Sequence, residues 1–198
     1  SGIGKSVLLQ SLAGLWPFAA GQVRLPAGPE AVMFVPQLPY LPLGDLRSIV
    51  TYPRSGSMAV SDGGGSMAVS DGGGSMAVSD GGDDRAIQQA LIDVALPQLV
   101  LRLNDVADWA AMLSVGEQQR IAFARALLAK PRALFLDESP PAMAEGLELT
   151  LYERLRAALP DAVLVTVSHR ATLHRFHDRH LELVGDGQWR LTRLAASA

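Results

Sequence analysis

Ala133-Leu134-Phe135-Leu136 is an unbroken apolar run that stops at two carboxylates, Asp137 and Glu138. A run this short and this apolar reads as a strand buried inside a sheet, and the abrupt change to Asp-Glu marks where that strand reaches the sheet's edge. The residues on either side supply its cover: Val115 to Leu128 before it and Glu145 to Leu159 after it read as helices. Two further apolar runs, Ala31 to Val35 ahead of Pro36 and Ala162 to Val167, read as strands. Strands that alternate with helices predict an α/β fold around a largely parallel sheet.

The rest of the chain attaches to that centre. Lys5 to Leu15 predicts a helix rising from a glycine turn, with Val7, Leu8, Leu12 and Leu15 at helical spacing and Gly14 and Pro17 as its stop. Leu46 to Val50 predicts a brief helix, and Asp84 to Ala95 an amphipathic one with Asp83 or Asp84 as N-cap. The stretch from there to Trp109 reads as irregular. A short helix around Ala171 to Phe176 and a closing hairpin, His180 to Val184 with Gln188 to Leu191, complete the expectation.

Between Gly56 and Gly82 the unit Gly-Ser-Met-Ala-Val-Ser-Asp-Gly-Gly occurs three times without a change, starting at Gly56, Gly65 and Gly74. Calcium-binding nonapeptide repeats need Gly-Gly-x-Gly-x-Asp, and Ser66 and Ala68 stand where the later Gly and the Asp belong. The repeat therefore reads as a flexible Gly/Ser/Asp loop lengthened by duplication, which is tolerated because closure entropy grows slowly with loop length.

The chain's 198 residues suit one domain spanning 1–198, and the net charge of −3 argues against nucleic acid as the partner. Cysteine is absent, which removes disulfides and thiolate metal sites. No apolar run approaches the roughly 18 residues of a membrane-crossing helix.

Chemistry is concentrated at a few positions. Gly2-Ile3-Gly4-Lys5-Ser6 matches the end of the phosphate-loop pattern Gly-x-x-x-x-Gly-Lys-Ser/Thr, whose first Gly would lie ahead of Ser1. Small residues feeding a helix start aim backbone N–H groups and the positive end of the helix dipole at one spot, which suits phosphate. The same fragment alone would also suit an ordinary glycine turn capping a helix. Ser1, Gly2, Ile3, Gly4, Lys5, Ser6 and Val7 would line the cradle, with Lys5 neutralising the β and γ phosphates and Ser6 ligating Mg²⁺. Asp137 would hold the same metal, and Glu138 would accept the proton of an attacking water.

Leu113-Ser114-Val115-Gly116-Glu117-Gln118-Gln119-Arg120 carries the most specific pattern. Here the chain resembles the ABC ATPase family, whose signature Leu-Ser-x-Gly-Gln/Glu precedes the Asp-Glu strand. The resemblance implies a P-loop NTPase of ABC type that binds ATP and Mg²⁺, with a helical subdomain beside the sheet. It also implies that Ser114, Gly116 and Glu117 act in trans, on the γ-phosphate held by a second ABC ATPase domain. Gln37, in Val35-Pro36-Gln37, matches the family's glutamine loop, which contacts Mg²⁺ or the water. His169, in Ser168-His169-Arg170, matches its switch histidine, a γ-phosphate contact.

Pro36 to Arg47, Tyr52-Pro53 and Ala107-Asp108-Trp109 narrow the resemblance to the bacterial peptide-antibiotic and cobalamin uptake transporters and the peroxisomal fatty-acyl transporters. That subgroup implies a homodimer, membrane helices ahead of Ser1 on the same polypeptide, and a site on the cytoplasmic face of the inner (plasma) membrane. Two alternatives stand beside transport: a nucleotide-binding ABC module with weak hydrolysis, and a soluble ABC ATPase of DNA repair or translation, whose usual zinc cysteines, long coiled coils and basic arms do not appear.

After Glu138 the family continues Ala-Thr-Ser-Ala-Leu-Asp, whereas this chain reads Ser139-Pro140-Pro141-Ala142-Met143-Ala144. The two prolines fix φ and remove N–H donors, and Ala144 lacks the carboxylate that links the two ATP sites in the family. Reduced coupling or turnover is expected. The triple change Pro140→Thr, Pro141→Ser and Ala144→Asp in the full-length polypeptide should raise the ATP hydrolysis rate several-fold, and an unchanged rate would contradict this.

Overall fold

In the computed structural model, residues 4–12, 16, 21–28, 31–53, 81–137, 143–185 and 187–194 are described. Ser1 to Ile3, Gly14, Leu15, Pro17, Glu138, the altered stretch Ser139 to Ala142 and the nonapeptide repeat up to Asp80 lie outside them. In chain order the elements are α1 (Lys5–Leu12), β1 (Val32–Val35), β2 (Gly44–Asp45), α2 (Leu46–Thr51), α3 (Gly81–Asp93), a 3₁₀ helix (Pro97–Arg102), β3 (Val106–Ala107), α4 (Trp109–Met112), α5 (Val115–Ala129), β4 (Ala133–Leu136), α6 (Glu145–Ala158), β5 (Val163–Thr166), a second 3₁₀ helix (Ala171–Phe176), β6 (Arg179–Gly185) and β7 (Gln188–Arg193).

The apolar run identified from sequence is the middle strand of a parallel sheet ordered β1-β4-β5. All four residues of β4 are buried, and its side chains divide by strand parity. Leu134 and Leu136 enter the larger core with Ile121 and Phe123 of α5 and with Leu151, Tyr152 and Leu155 of α6. Ala133 and Phe135 point to the other face, where Leu9 of α1 covers them. Phe135 stacks on Phe34 of β1 with ring centroids 4.5 Å apart. Helices thus lie on both faces, the arrangement a buried parallel sheet requires.

The long helices start and stop where local chemistry dictates. Ser114 and Glu117 form a reciprocal capping box at the start of α5, and Lys130 ends that helix in the left-handed region at φ 47° before Pro131. Tyr152 is buried in α6, its hydroxyl 3.2 Å from Oγ1 of Thr166 on β5, and burial raises its pKa above the ordinary phenol value. Arg125 of α5 is buried too. It donates to the carbonyls of Ile49 and Tyr40, each at 2.9 Å, and its guanidinium lies 5.3 Å from the Tyr52 ring centroid. Desolvation lowers its pKa to about 10, so it remains charged at neutral pH while tying residues 40–52 to α5.

Two expectations need correction. The helix expected from Asp84 begins at Gly81 and ends at Asp93, so Asp83 and Asp84 sit in its first turn instead of at an N-cap. There their charges still favour the positive helix end, and Asp84 also pairs with Arg47. The stretch up to Trp109 is not irregular: it holds a 3₁₀ helix, the start of α4, and β3, which pairs antiparallel with β2 through Gly44–Ala107 and Asp45–Val106. Trp109 locks this region, buried, with Arg102 4.7 Å from its ring centroid and its Nε1 donating to Asp105 O at 3.3 Å.

Ala144 occupies the N-cap of α6 in an extended conformation (φ −60°, ψ 136°) and makes no side-chain capping bond. An aspartate there adopts the same backbone and can accept from the first-turn amides, which is worth about 1 kcal/mol. Ala144→Asp alone should therefore raise the thermal unfolding midpoint by about 2–4 °C. A midpoint that stays level or falls would show that the cap is not available.

Candidate phosphate-binding site

The three parallel strands end level with one another. Val35, Leu136 and Thr166 are register partners across the sheet, so the residues that follow them emerge along one edge. The ladder runs one step further, with Asp137 N donating to Val35 O at 2.9 Å and Val167 N to Leu136 O at 2.8 Å. Gln37, Asp137 and His169 are thereby delivered side by side to the carboxyl edge, the place where open α/β sheets bind ligands.

The start of α1 lies over the same edge. Gly4 has φ 95°, a conformation that side chains rarely adopt, and its carbonyl accepts the first helical bond from Leu8 N at 2.9 Å. Lys5, Ser6 and Val7 therefore form the first turn, where amides have no helical acceptor. Lys5 Nζ donates to Nε2 of His169 at 3.0 Å and lies 3.4 Å from Nδ1. Ser6 Oγ donates to Oδ1 of Asp137 at 3.2 Å. One helix start is thus bonded to the ends of two adjacent strands, with a cation, a helix terminus and a carboxylate together.

These donors suit a nucleotide phosphate with a hard cation. A serine hydroxyl and a carboxylate oxygen 3.2 Å apart offer two oxygen ligands. Among the described residues no group of three or more His, Asp or Glu forms a cage. Mg²⁺ is usually held in this way, by one or two protein oxygens with phosphate and water completing the shell.

A second group is held apart in its own turn. Ser114 Oγ donates to Glu117 Oε2 at 2.7 Å and accepts from Glu117 N at 3.3 Å, while Ser114 N donates to the same Oε2 at 2.9 Å. The hydroxyl bond from Ser114, then its backbone bond, holds the Glu117 carboxyl below its ordinary pKa against the opposing effect of burial. Gln98 Nε2 supports the other oxygen at 3.2 Å. Ser114 and Val115 are exposed and Gly116 is half-buried, so this helix start faces outward.

Gln119 joins this edge without having been expected there from the sequence. Its side chain is 1% exposed, and Nε2 donates to Pro36 O at 3.1 Å and also to Gln37 O. The helix that starts at Ser114 therefore grips the peptide of Gln37 directly. The signal was present: an amide on a helix face shared with the apolar Ala122 and Phe123 must find a buried partner, and the main chain commonly supplies it.

Known proteins resemble this chain along most of its length. The family described as ABC transporter matches residues 1–140. An ABC transporter ATP-binding protein of Haemophilus influenzae, itself uncharacterized, is 36% identical over 191 residues, covering 96% of this chain and 28% of that protein. A chloroplastic ABC transporter D family member of Arabidopsis thaliana is 33% identical over 208 residues, covering 92% of this chain and 29% of its own length. A lysosomal cobalamin transporter of Homo sapiens is 35% identical over 202 residues, covering 98% and 30%. The chain thus spans under a third of the length of these relatives. Identity at this level, sustained over nearly the whole chain and joined to the family match, means that the chain belongs to the ABC transporter ATP-binding family.

Proposed function

We propose that this chain binds ATP with Mg²⁺ at the α1 start and hydrolyses it to drive a transmembrane transporter, with two copies closing around two nucleotides. The observation that carries the proposal is the pair of bonds joining Lys5 to His169 and Ser6 to Asp137. Lys5 and the first-turn amides would neutralise the β and γ phosphates, and His169, already within bonding distance of Lys5, would meet the γ-phosphate. Mg²⁺ held by Ser6 and Asp137 would supply charge neutralisation of the developing leaving group. Gln37 would orient the water or a metal ligand, and Glu138 would take the water's proton.

Ser114, Gly116 and Glu117 would act on the nucleotide of a second ABC ATPase domain. Support comes from the outward face of the α5 start, whose hydroxyl and helix dipole suit an anion from another molecule. The membrane partner would be carried on the same polypeptide, and the ATPase would face the cytoplasm from the inner membrane. The lengths of the relatives and their printed descriptions as transporters support a membrane partner on the same polypeptide. A nucleotide-binding module with weak hydrolysis is the second reading, favoured by Ala144, which leaves the α6 N-cap without a side-chain bond.

Lys5→Ala and Ser114→Ala in the full-length polypeptide should each lower ATP turnover by about 100-fold or more, as loss of a transition-state donor does. Lys5→Ala should also weaken nucleotide binding, whereas Ser114→Ala should leave binding to the isolated subunit nearly unchanged. Mixing the two inactive variants should restore activity, because a heterodimer then contains one intact composite site; mixtures no more active than their parts would exclude action in trans. Glu138→Gln should bind ATP and not turn it over. Wild-type protein as slow as Glu138→Gln would favour the second reading.

A further inference from the structure

Arg170, half-buried, follows His169 directly and pairs with a buried carboxylate. Its Nη1 lies 2.8 Å from Oε2 of Glu148, whose side chain is 1% exposed, and its Nη2 donates to Met143 O at 3.2 Å. Arg170 N donates to Ser168 Oγ at 3.0 Å, closing the turn that carries the histidine. Two residues on, Thr172 Oγ1 donates to Glu145 Oε1 at 2.8 Å. The His169 turn is thus tied on one side to the sheet, through Val167 N and Leu136 O, and on the other to the start of α6.

Glu148 is out of place by composition. It shares the buried face of α6 with Leu151, Tyr152 and Leu155 at helical spacing, where an apolar residue would pack without desolvating a charge. Buried ion pairs are often matched or bettered in stability by apolar replacements of similar volume, so stability alone does not account for it. What a guanidinium fork supplies is direction. Ion-paired with Glu148 and donating a hydrogen bond to Met143 O, it anchors the Arg170 side chain against α6, and His169 is one peptide away.

We propose that Arg170 and Glu148 are positioning residues that hold the His169 imidazole at the phosphate site, against Lys5, by anchoring its turn to α6. The inference rests on the reading of His169 as a γ-phosphate contact, and the test separates the two.

ATPase kinetics of the full-length polypeptide would be compared for wild type, His169→Ala, the paired apolar change Arg170→Met with Glu148→Leu, and the triple combination. The paired change should leave the melting temperature within about 4 °C, leave KM for ATP nearly unchanged and lower kcat by about tenfold, the scale of misplacing a catalytic group. In the His169→Ala background the same paired change should alter kcat by less than about twofold, because residues acting through one group are not additive. Arg170→Lys keeps the charge beside Glu148 and loses the fork, and should also lower kcat while folding normally. Wild-type kcat in both the paired variant and Arg170→Lys, or an undiminished tenfold loss without His169, would overturn the inference. A His169→Ala variant with wild-type turnover would instead overturn the γ-phosphate reading on which it rests.

Discussion

The site depends on the register of one parallel ladder. Because Val35, Leu136 and Thr166 are level, the residues after each strand reach the sheet edge together, and a slip of one residue in β4 would turn Asp137 away and move Leu134 and Leu136 to the opposite face. The burial of β4 on both faces is what prevents the slip. Phe135 stacked on Phe34 and Leu9 packed behind it hold one side, and α5 and α6 hold the other. Core packing and the geometry of the candidate site are therefore one constraint, expressed at alternate positions of a four-residue strand.

Helix α5 adds a second level of connection. Its N-cap presents Ser114, its second turn buries Gln119 against the carbonyls of Pro36 and Gln37, and further along Arg125 clasps Tyr40 and Ile49. The outward start of α5 and the loop carrying Gln37 are thus joined through one helix. These buried amide and guanidinium bonds are costly to break, because each broken bond leaves a desolvated polar group behind.

The sequence made the centre of this architecture legible and its margins obscure. An apolar run ending in Asp-Glu, a capping box at Ser114 and Glu117, and a glycine before Lys5 each encode local geometry in residue type, and the corresponding strand, helix start and turn lie where expected. The pairing of β2 with β3 involves two residues on each side, too few to show any period. The start of α3 at Gly81 was hidden because glycine carries no helix signal, and tertiary contacts around Asp84 and Arg47 override that. Gln119 and Glu148 both occupy the inward stripe of their helices, and a polar residue in an apolar stripe is the signal to look for a buried partner.

The central claim is that Lys5, Ser6, Asp137 and His169 surround one metal-bound triphosphate while the start of α5 completes the site of a twin molecule. The most direct measurement is a structure of the full-length Glu138→Gln polypeptide with ATP and Mg²⁺. The account predicts the metal at Ser6 and Asp137, the γ-phosphate between Lys5 and His169, and Ser114 of the partner subunit on the same phosphate. A triphosphate bound away from the carboxyl edge of β4, or a closed dimer whose α5 starts point away from the nucleotides, would contradict it.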